Sequence, residues 1–283
     1  MPGLSEIQMK LSHIGSEMSS RSESVGQHPL LNGSWNNAVS EYFCLMSNSY
    51  FQFKQFMVRH DRCAMKVGTD GVLLGAWTQV PENGQILDVG TGTGLIALML
   101  AQRSPNTGIL GVDIDADAVE QAMENTVASP WGDRIQLMQM DFKYPTQLKG
   151  RMFDLIVSNP PFFKEKVFSN DSKRNMARSA ELLPLETLFA NAEPLLAEGG
   201  RLSLVLPYAV ADEAIGQAAL QGLFLLRRCD VQTKEGAIPK RTLMTWGKAI
   251  QPSISETLVI YDAQHHYTAD FNKLTSNFYL GVF

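Results

Sequence analysis

Hydrophobic positions change period repeatedly along this chain. Short apolar runs at 85–89, 108–113, 134–140, 153–158 and 201–206 read as strands, several of them buried on both faces. Helical periodicity fills the gaps at 94–103 and 116–128. A further helix is expected from Pro184, with Leu185, Leu188, Phe189, Ala192 and Leu196 on one face and Gly199-Gly200 as its stop. Another helix follows at 209–221. Strand-like segments then come at 223–232, 241–247 and 257–261 without helices between them, and a short helix near 269–276 closes the pattern. Ahead of the alternation lie an alternating stretch that opens at Phe51 and a helical run at 72–77.

Strand–helix repeats predict an α/β protein with a mostly parallel sheet covered by helices on both faces. The late strands predict an antiparallel pair at one edge. Ligands of such sheets bind at the carboxyl ends of the strands, near the point where strand order reverses. Residues 1–41, rich in Ser, Asn, Gly and Glu, carry no periodic apolar face and are expected to form a flexible tail ahead of one domain over 42–283.

Bulk composition narrows the function. The 283 residues are 45% hydrophobic and 19% charged, ample for a large core. A net charge of −5 argues against bulk polyanion binding, so any nucleic-acid surface must be local. The three cysteines, Cys44, Cys63 and Cys229, are far apart and form no C-x-x-C pair, so neither a disulfide framework nor a zinc site is expected. His265-His266 reads as a polar loop, without a third ligand of clear spacing. No run approaches the ~18 apolar residues of a membrane helix. The N-terminus lacks an apolar signal core. A cytoplasmic monomer, with no metal and no membrane, is the expectation.

The chemistry concentrates at strand ends. After the 153–158 strand comes Asn159-Pro160-Pro161-Phe162. Asn159 and Pro160 both precede a proline, which holds them extended, and neither proline can donate to a neighbouring strand. The stiff hook offers the Asn159 side-chain oxygen and the Pro160 carbonyl as acceptors, with the Phe162 ring beside them. Such a set suits a planar NH2 on a conjugated system, and stacking on Phe162 would contribute roughly 1–3 kcal/mol. The alternative is a proline-stiffened loop with one exposed aromatic.

Upstream, Asp88-Val89-Gly90-Thr91-Gly92-Thr93-Gly94 joins a strand to a helix. Gly90, Gly92 and Gly94 permit positive φ and close approach of a ligand. A tight turn is the plain alternative. The spacing is not G-x-G-x-x-G, no phosphate-binding G-x-x-x-x-G-K-[ST] exists, and Asp88 would repel a pyrophosphate. The combination suits a cofactor with a cationic amino group and no phosphate. Asp113 ends the second strand about 20 residues later, where acids bind ribose hydroxyls. Asp115 is better placed as a helix N-cap. Asp141 and Phe142 end the third strand, where an acceptor and a ring could hold a cofactor adenine; a simple turn cap at Asp141 is the alternative.

This order of elements resembles the class I S-adenosylmethionine-dependent methyltransferases, and the hook resembles the signature of those that methylate amino groups. The resemblance implies a Rossmann-like sheet of seven strands. It implies S-adenosyl-L-methionine as cofactor, with Asp88 and the glycine turn facing its methionine part, Asp113 its ribose and Asp141 its adenine. A closer likeness comes from Phe53-Lys54-Gln55-Phe56, from the run Val58 through Gly75, from Leu100-Ala101-Gln102-Arg103 and from Ala128-Ser129-Pro130-Trp131. There the chain resembles the bacterial tRNA1(Val) adenine-37 N6-methyltransferases over roughly 42–283. That likeness adds Asp70 to the cofactor residues and implies tRNA as partner. A phenylalanine at 162, where tyrosine also occurs, keeps the stacking face.

Charge agrees locally. Lys164, Lys166, Lys173, Arg174 and Arg178 face only Glu165 and Asp171 in the segment after the hook, and Lys54, Arg59, Arg62 and Lys66 face only Asp61. For a single lysine a solvated face is the better reading; two basic segments in an acidic chain favour RNA contact. Lys234, Lys240 and Arg241 could add to this surface. Methylation of a protein glutamine on N5, or of adenine in rRNA or DNA, stays open, as does a cofactor-dependent RNA-binding protein without catalysis.

Overall fold

The computed structural model describes residues 49–63, 66–161 and 183–281. The 1–41 tail, Cys44, Phe162 and the five basic residues from Lys164 to Arg178 lie outside them. In chain order the elements are β1 (Tyr50–Gln52), β2 (Met57–Arg59), α1 (Thr69–Trp77), β3 (Asn83–Val89), α2 (Leu95–Arg103), β4 (Asn106–Asp113), α3 (Ala116–Val127), β5 (Ile135–Gln139), β6 (Phe153–Ser158), α4 (Leu185–Ala192), β7 (Leu196–Pro207), α5 (Ala211–Leu220), β8 (Phe224–Lys234), β9 (Arg241–Gly247), β10 (Ile254–Tyr261) and α6 (Ala269–Thr275).

β1 and β2 form an antiparallel hairpin, and the other strands form one sheet in the order β10-β8-β9-β7-β6-β3-β4-β5. The sheet thus has eight strands among the described residues, one more than the expected seven. The expected antiparallel pair exists, β8 against β9, but it does not sit at the rim. β10 lies outside it and runs parallel to β8, so β9 is the strand of opposite sense in the sheet. Strand order reverses between β3 and β6, which are parallel neighbours with Val89 opposite Ser158.

Alternating residues feed two cores. Ile86, Leu155, Val157, Val205 and Leu243 face one side with α1, α2 and Phe271 of α6. Leu87, Val89, Ile156, Leu202 and Leu204 face the other with α4 and α5. Period-two alternation sends neighbours in a strand to opposite faces, so one apolar run supplies both layers. α1 is buried along most of its length, from Gly71 to Trp77. Its Gly71 and Gly75 stand four apart and meet Leu95 and Met99, also four apart, on α2. A Cβ at Gly75 would lie 2.8 Å from Met99 Sδ, and one at Gly71 would lie 3.1 Å from Leu95 Cδ2.

The helix after Pro184 is shorter than its apolar face suggested. It ends at Ala192, followed by a 3-10 turn at Glu193–Leu195. Pro194 lacks the N–H that would continue the ladder. Leu196 therefore opens β7, and the Gly199-Gly200 pair is a bulge in that strand: Leu196 stands opposite Phe153 while Arg201 stands opposite Leu155. Gly199 has φ of 73°. A Cβ on Gly200 would lie 2.8 Å from the Phe153 oxygen. Among the described residues no helix is long and apolar enough to cross a membrane, and no cluster of His, Cys, Asp and Glu could hold a metal ion.

Candidate active site

Four strands end side by side at the switch point, in the order β5-β4-β3-β6. Their carboxyl ends carry Asp141, Asp113, the Asp88–Gly94 turn and Asn159. Three strand spacings span about 14 Å, enough for an elongated nucleoside ligand to cross them. Backbone bonds bind this row together. The Gly90 and Thr91 N–H groups donate to the Val112 oxygen (2.8 and 3.0 Å), and the Met140 N–H donates to the Asp113 oxygen (2.7 Å). On the β6 side, Ser158 Oγ donates to the Val89 oxygen at 2.7 Å, which ties the hook to the strand that leads into the glycine turn.

Gly90, Gly92 and Gly94 all have positive φ, 70°, 53° and 78°. A Cβ would meet nothing within 4 Å at Gly90 or Gly92, whereas at Gly94 it would lie 3.3 Å from Ala122 Cβ. The first two glycines border open space and the third packs α2 against α3. The turn is held from below by Asp88, which is 0% exposed. Its Oδ2 accepts from Thr91 Oγ1 (2.8 Å) and from the Ala97 N–H (3.2 Å) in the first turn of α2. That second bond substitutes for the side-chain cap that Gly94 cannot provide. Room for Thr91 comes from Gly111 on β4, where a Cβ would lie 2.9 Å from Thr91 Oγ1. The other oxygen, Asp88 Oδ1, is buried without a hydrogen-bond partner. Desolvation outweighs the two bonds and pushes the carboxyl up to about 7.

Asp113 already has part of its acceptor capacity in use. Its Oδ2 accepts from the Gly92 N–H (2.8 Å) and its Oδ1 from the Asp115 N–H (3.1 Å). Burial raises its pKa, with the backbone bonds acting in the opposite direction. A carboxylate has about four acceptor positions, so these backbone bonds do not exhaust it. Asp115 caps α3, accepting from the Asp117 N–H, as its place in the sequence implied.

Two expected cofactor residues stand differently. The Phe142 ring is 4% exposed and belongs to the second core, so it is not free to stack on a ligand. Only its backbone borders the strand end, where Asn191 Nδ2 holds the Phe142 and Lys143 oxygens (2.7 and 3.2 Å). Exposed apolar surface near this strand end includes Ile114, 47% exposed directly after Asp113. Asp70 sits in the first turn of α1 and pairs with Arg241 at 2.6 Å. Asp141 accepts from the Lys143 N–H at 2.9 Å, which makes it a turn cap.

Several contributors escaped the sequence pattern. Asn125 is buried and spends its whole amide on this region: it accepts from the Arg59 N–H and donates to the Arg59 and Thr93 oxygens (2.8, 2.8 and 2.9 Å). It fastens β2 beside the glycine turn. Thr91, Ser158 and Asn191 act similarly on nearby groups of the site. None has a signal in spacing, because each acts through a partner that only the folded chain brings close. The 54–66 basic segment loses part of its free charge: Lys54 Nζ caps the Ser276 oxygen (2.6 Å), and Arg62 pairs with Glu120 and Glu124 (3.3 and 3.2 Å). Cys63 lies near Asp113, Asp115, Asp61 and Asp117, and burial plus these charges push its thiol up to about 11.

A carboxylate kept near neutrality with one buried oxygen unpaired, a glycine turn bordering open space, and acids rather than bases along the row do not suit a phosphate. They suit a nucleoside carrying an ammonium group, with Asp88 buried beneath the glycine turn and Asp113 and Asp141 at the neighbouring strand ends. The site and sheet define a methyltransferase of the S-adenosylmethionine-dependent class.

The chain matches the model of the methyltransferase small domain over residues 65–225. It is 47% identical over 236 residues to a Bacteroides fragilis protein named tRNA1(Val) (adenine(37)-N6)-methyltransferase, a match that covers 83% of this chain and 99% of that one. It is 47% identical over 233 residues to a protein of the same name from Mannheimia succiniciproducens, covering 81% of this chain and 94% of the relative. Among solved structures, one described as a predicted O-methyltransferase from Agrobacterium tumefaciens superposes with a TM-score of 0.58 at 18% identity, over 74% of this chain and 96% of that one, a likeness of fold. The chain belongs to the family of the tRNA1(Val) (adenine(37)-N6)-methyltransferases, and S-adenosylmethionine is its cofactor.

Proposed function

We propose that this protein methylates the exocyclic N6 of adenine in tRNA, at adenine 37 beside the anticodon of a valine tRNA. The observation that carries the proposal is the joining of hook to cofactor turn: Ser158 opposite Val89, with the Ser158 Oγ bond to the Val89 oxygen, puts Asn159 beside the Asp88–Gly94 turn. S-adenosylmethionine, when bound, supplies an electrophilic methyl group. Asn159 contributes its side-chain oxygen and Pro160 its carbonyl, and these accept the two N–H bonds of the target amine. The bonds hold a conjugated, weakly nucleophilic nitrogen in line and favour its pyramidal form. Phe162 supplies the stacking face for the base. Unstacking the target costs a few kcal/mol, less in a single-stranded loop than in a duplex, which suits an anticodon loop. The names of the relatives, nearly half identical over almost their full length, support the same substrate.

Lys164, Lys166, Lys173, Arg174 and Arg178 are proposed as phosphate contacts on the strength of their local charge, the protein working as a cytoplasmic monomer with residues 1–41 a dispensable tail. Labelled methyl transfer tests the function. Label is expected in tRNA as N6-methyladenosine, and lost from a valine tRNA transcript with guanosine at position 37. Label in protein, recovered as N5-methylglutamine, would overturn it.

A further inference from the structure

We propose that Arg241 is a positioning residue for methyl transfer: through Asp70 it seats the first turn of α1 against Asn159. The inference rests on the functional reading of the hook given above. β9 runs opposite to the other sheet strands, so its first residue stands at the end of the sheet where theirs finish. There Arg241 pairs with Pro207, the last residue of β7, and β7 is the neighbour of β6, which carries the hook. The guanidinium is aimed by two bonds. Nε donates to Asp70 Oδ2 at 2.6 Å, and Nη1 donates to the Lys240 oxygen at 3.0 Å. That same oxygen accepts the Tyr208 N–H (3.2 Å), which anchors it to the turn after β7.

Asp70 is followed by Gly71, which stands beside the hook. A Cβ there would lie 3.1 Å from Leu95 Cδ2 and 4.0 Å from Asn159 Nδ2. The missing side chain lets the first turn of α1 lie close against the start of α2, with the Asn159 amide beside the same position. That turn lacks a side-chain cap, since Gly68 precedes it. Asp70, the acid of the first turn, suits the helix N-terminus, and its ion pair is the side-chain bond that ties this turn to the sheet. Both partners are substantially exposed, Arg241 at 40% and Asp70 at 34%. An exposed pair adds little to global stability. Its effect is therefore local: it sets where the first turn of α1, and with it Asn159, comes to rest. The same bond engages an oxygen of the residue that the resemblance assigned to the cofactor.

The test compares Arg241→Ala, Arg241→Lys, Asp70→Asn and the Arg241→Ala/Asp70→Asn double variant with the wild-type chain. At saturating tRNA and cofactor, kcat is expected to fall about tenfold to a hundredfold in each of Arg241→Ala and Asp70→Asn, the scale of a small misplacement. The double variant should fall no further, and Arg241→Lys should recover most of the rate. Melting temperature, S-adenosylhomocysteine affinity and the salt slope of tRNA binding should stay near wild type. Independently of activity, amide exchange in the first turn of α1 should quicken in Arg241→Ala. Losses that multiply in the double variant, or unchanged kcat and exchange, would overturn the proposal. A flattened salt slope with intact kcat would make Arg241 a phosphate contact instead. Weakened cofactor binding in Asp70→Asn alone would return Asp70 to the cofactor. If wild type methylates no tRNA, the functional reading itself fails, while the exchange result still judges the seating of α1.

Discussion

Asp88, proposed to serve the amino group of the cofactor, is expected to couple its binding to pH. Its carboxyl titrates at about 7 in the folded protein against 3.8 for a free side chain, because burial outweighs the bonds from Thr91 and Ala97. The folded state therefore holds a proton that the unfolded state has lost between these values. The contribution of Asp88 to stability is fully present below 3.8, falls as pH rises towards about 7, and is constant above it. A cationic amino group needs the carboxylate, so affinity for S-adenosylhomocysteine should rise with pH up to about 7 and then level. Asp88→Asn should weaken binding and abolish that slope. Calorimetry from about pH 5.5 to about pH 8 checks this; an identical slope in the variant would count against Asp88. Asn159 answers to a different measurement. Asn159→Ala removes one acceptor without touching the glycine turn, so cofactor affinity should hold while kcat falls more than tenfold, a loss above ~1.4 kcal/mol. Single-turnover methylation of tRNA reads it out, and a variant retaining a third of wild-type kcat would remove Asn159 from the chemistry.

At the scale of elements, two helical glycines predict opposite outcomes. Gly75 faces Met99, whose Cβ and Sδ would lie 3.1 and 2.8 Å from an added Cβ. Gly75→Ala should destabilise by about 1–3 kcal/mol through overpacking between α1 and α2. Gly216, inside α5, has nothing within 4 Å of its Cβ position. Gly216→Ala should stabilise by about 0.5–1 kcal/mol through helix propensity alone. Chemical denaturation of both variants decides this, and equal effects would mean that α1 and α2 yield where they touch. The contrast matters for the site because α2 begins at the glycine turn and the first turn of α1 lies beside Asn159. Their close approach is how packing reaches the chemistry. β9 makes a related link, bringing Arg241 to the catalytic end of the sheet.

For the whole molecule, an acidic chain must bind a polyanion through a local surface. Reversing Lys164, Lys166, Lys173 and Arg174 together should weaken tRNA binding. The slope of log K against log[salt] should fall by roughly 0.7–0.9 for each phosphate that is no longer neutralised. Cofactor affinity should hardly change, since the residues proposed to hold it lie at the ends of β3, β4 and β5. A salt titration of wild type and variant compares the slopes; equal slopes would make these residues a solvated face.

Local chemistry made much of this protein legible in its sequence. Periodicity placed the sheet strands and most of the helices, because period-two and helical patterns report which face is buried. That the Asp88–Gly94 turn, Asp113, Asp141 and Asn159 fall together could be read as well, because strand ends in a parallel sheet share one edge whatever the strand order. Tertiary structure decided what depends on partners distant in the chain. Pro194 and the Gly199-Gly200 bulge moved Leu196 from a helix face to a strand, because the opposite register at Phe153 and Leu155 sets where the bulge falls. Phe142 became a core residue, since a ring near a strand end goes to whichever side buries it. Asp70 met Arg241 across 171 residues, and Asn125 met Arg59 across 66. Such bonds leave no spacing in the sequence. Only the folded chain brings their donors and acceptors together, and for Asp70 and Arg241 the reversed strand β9 does so.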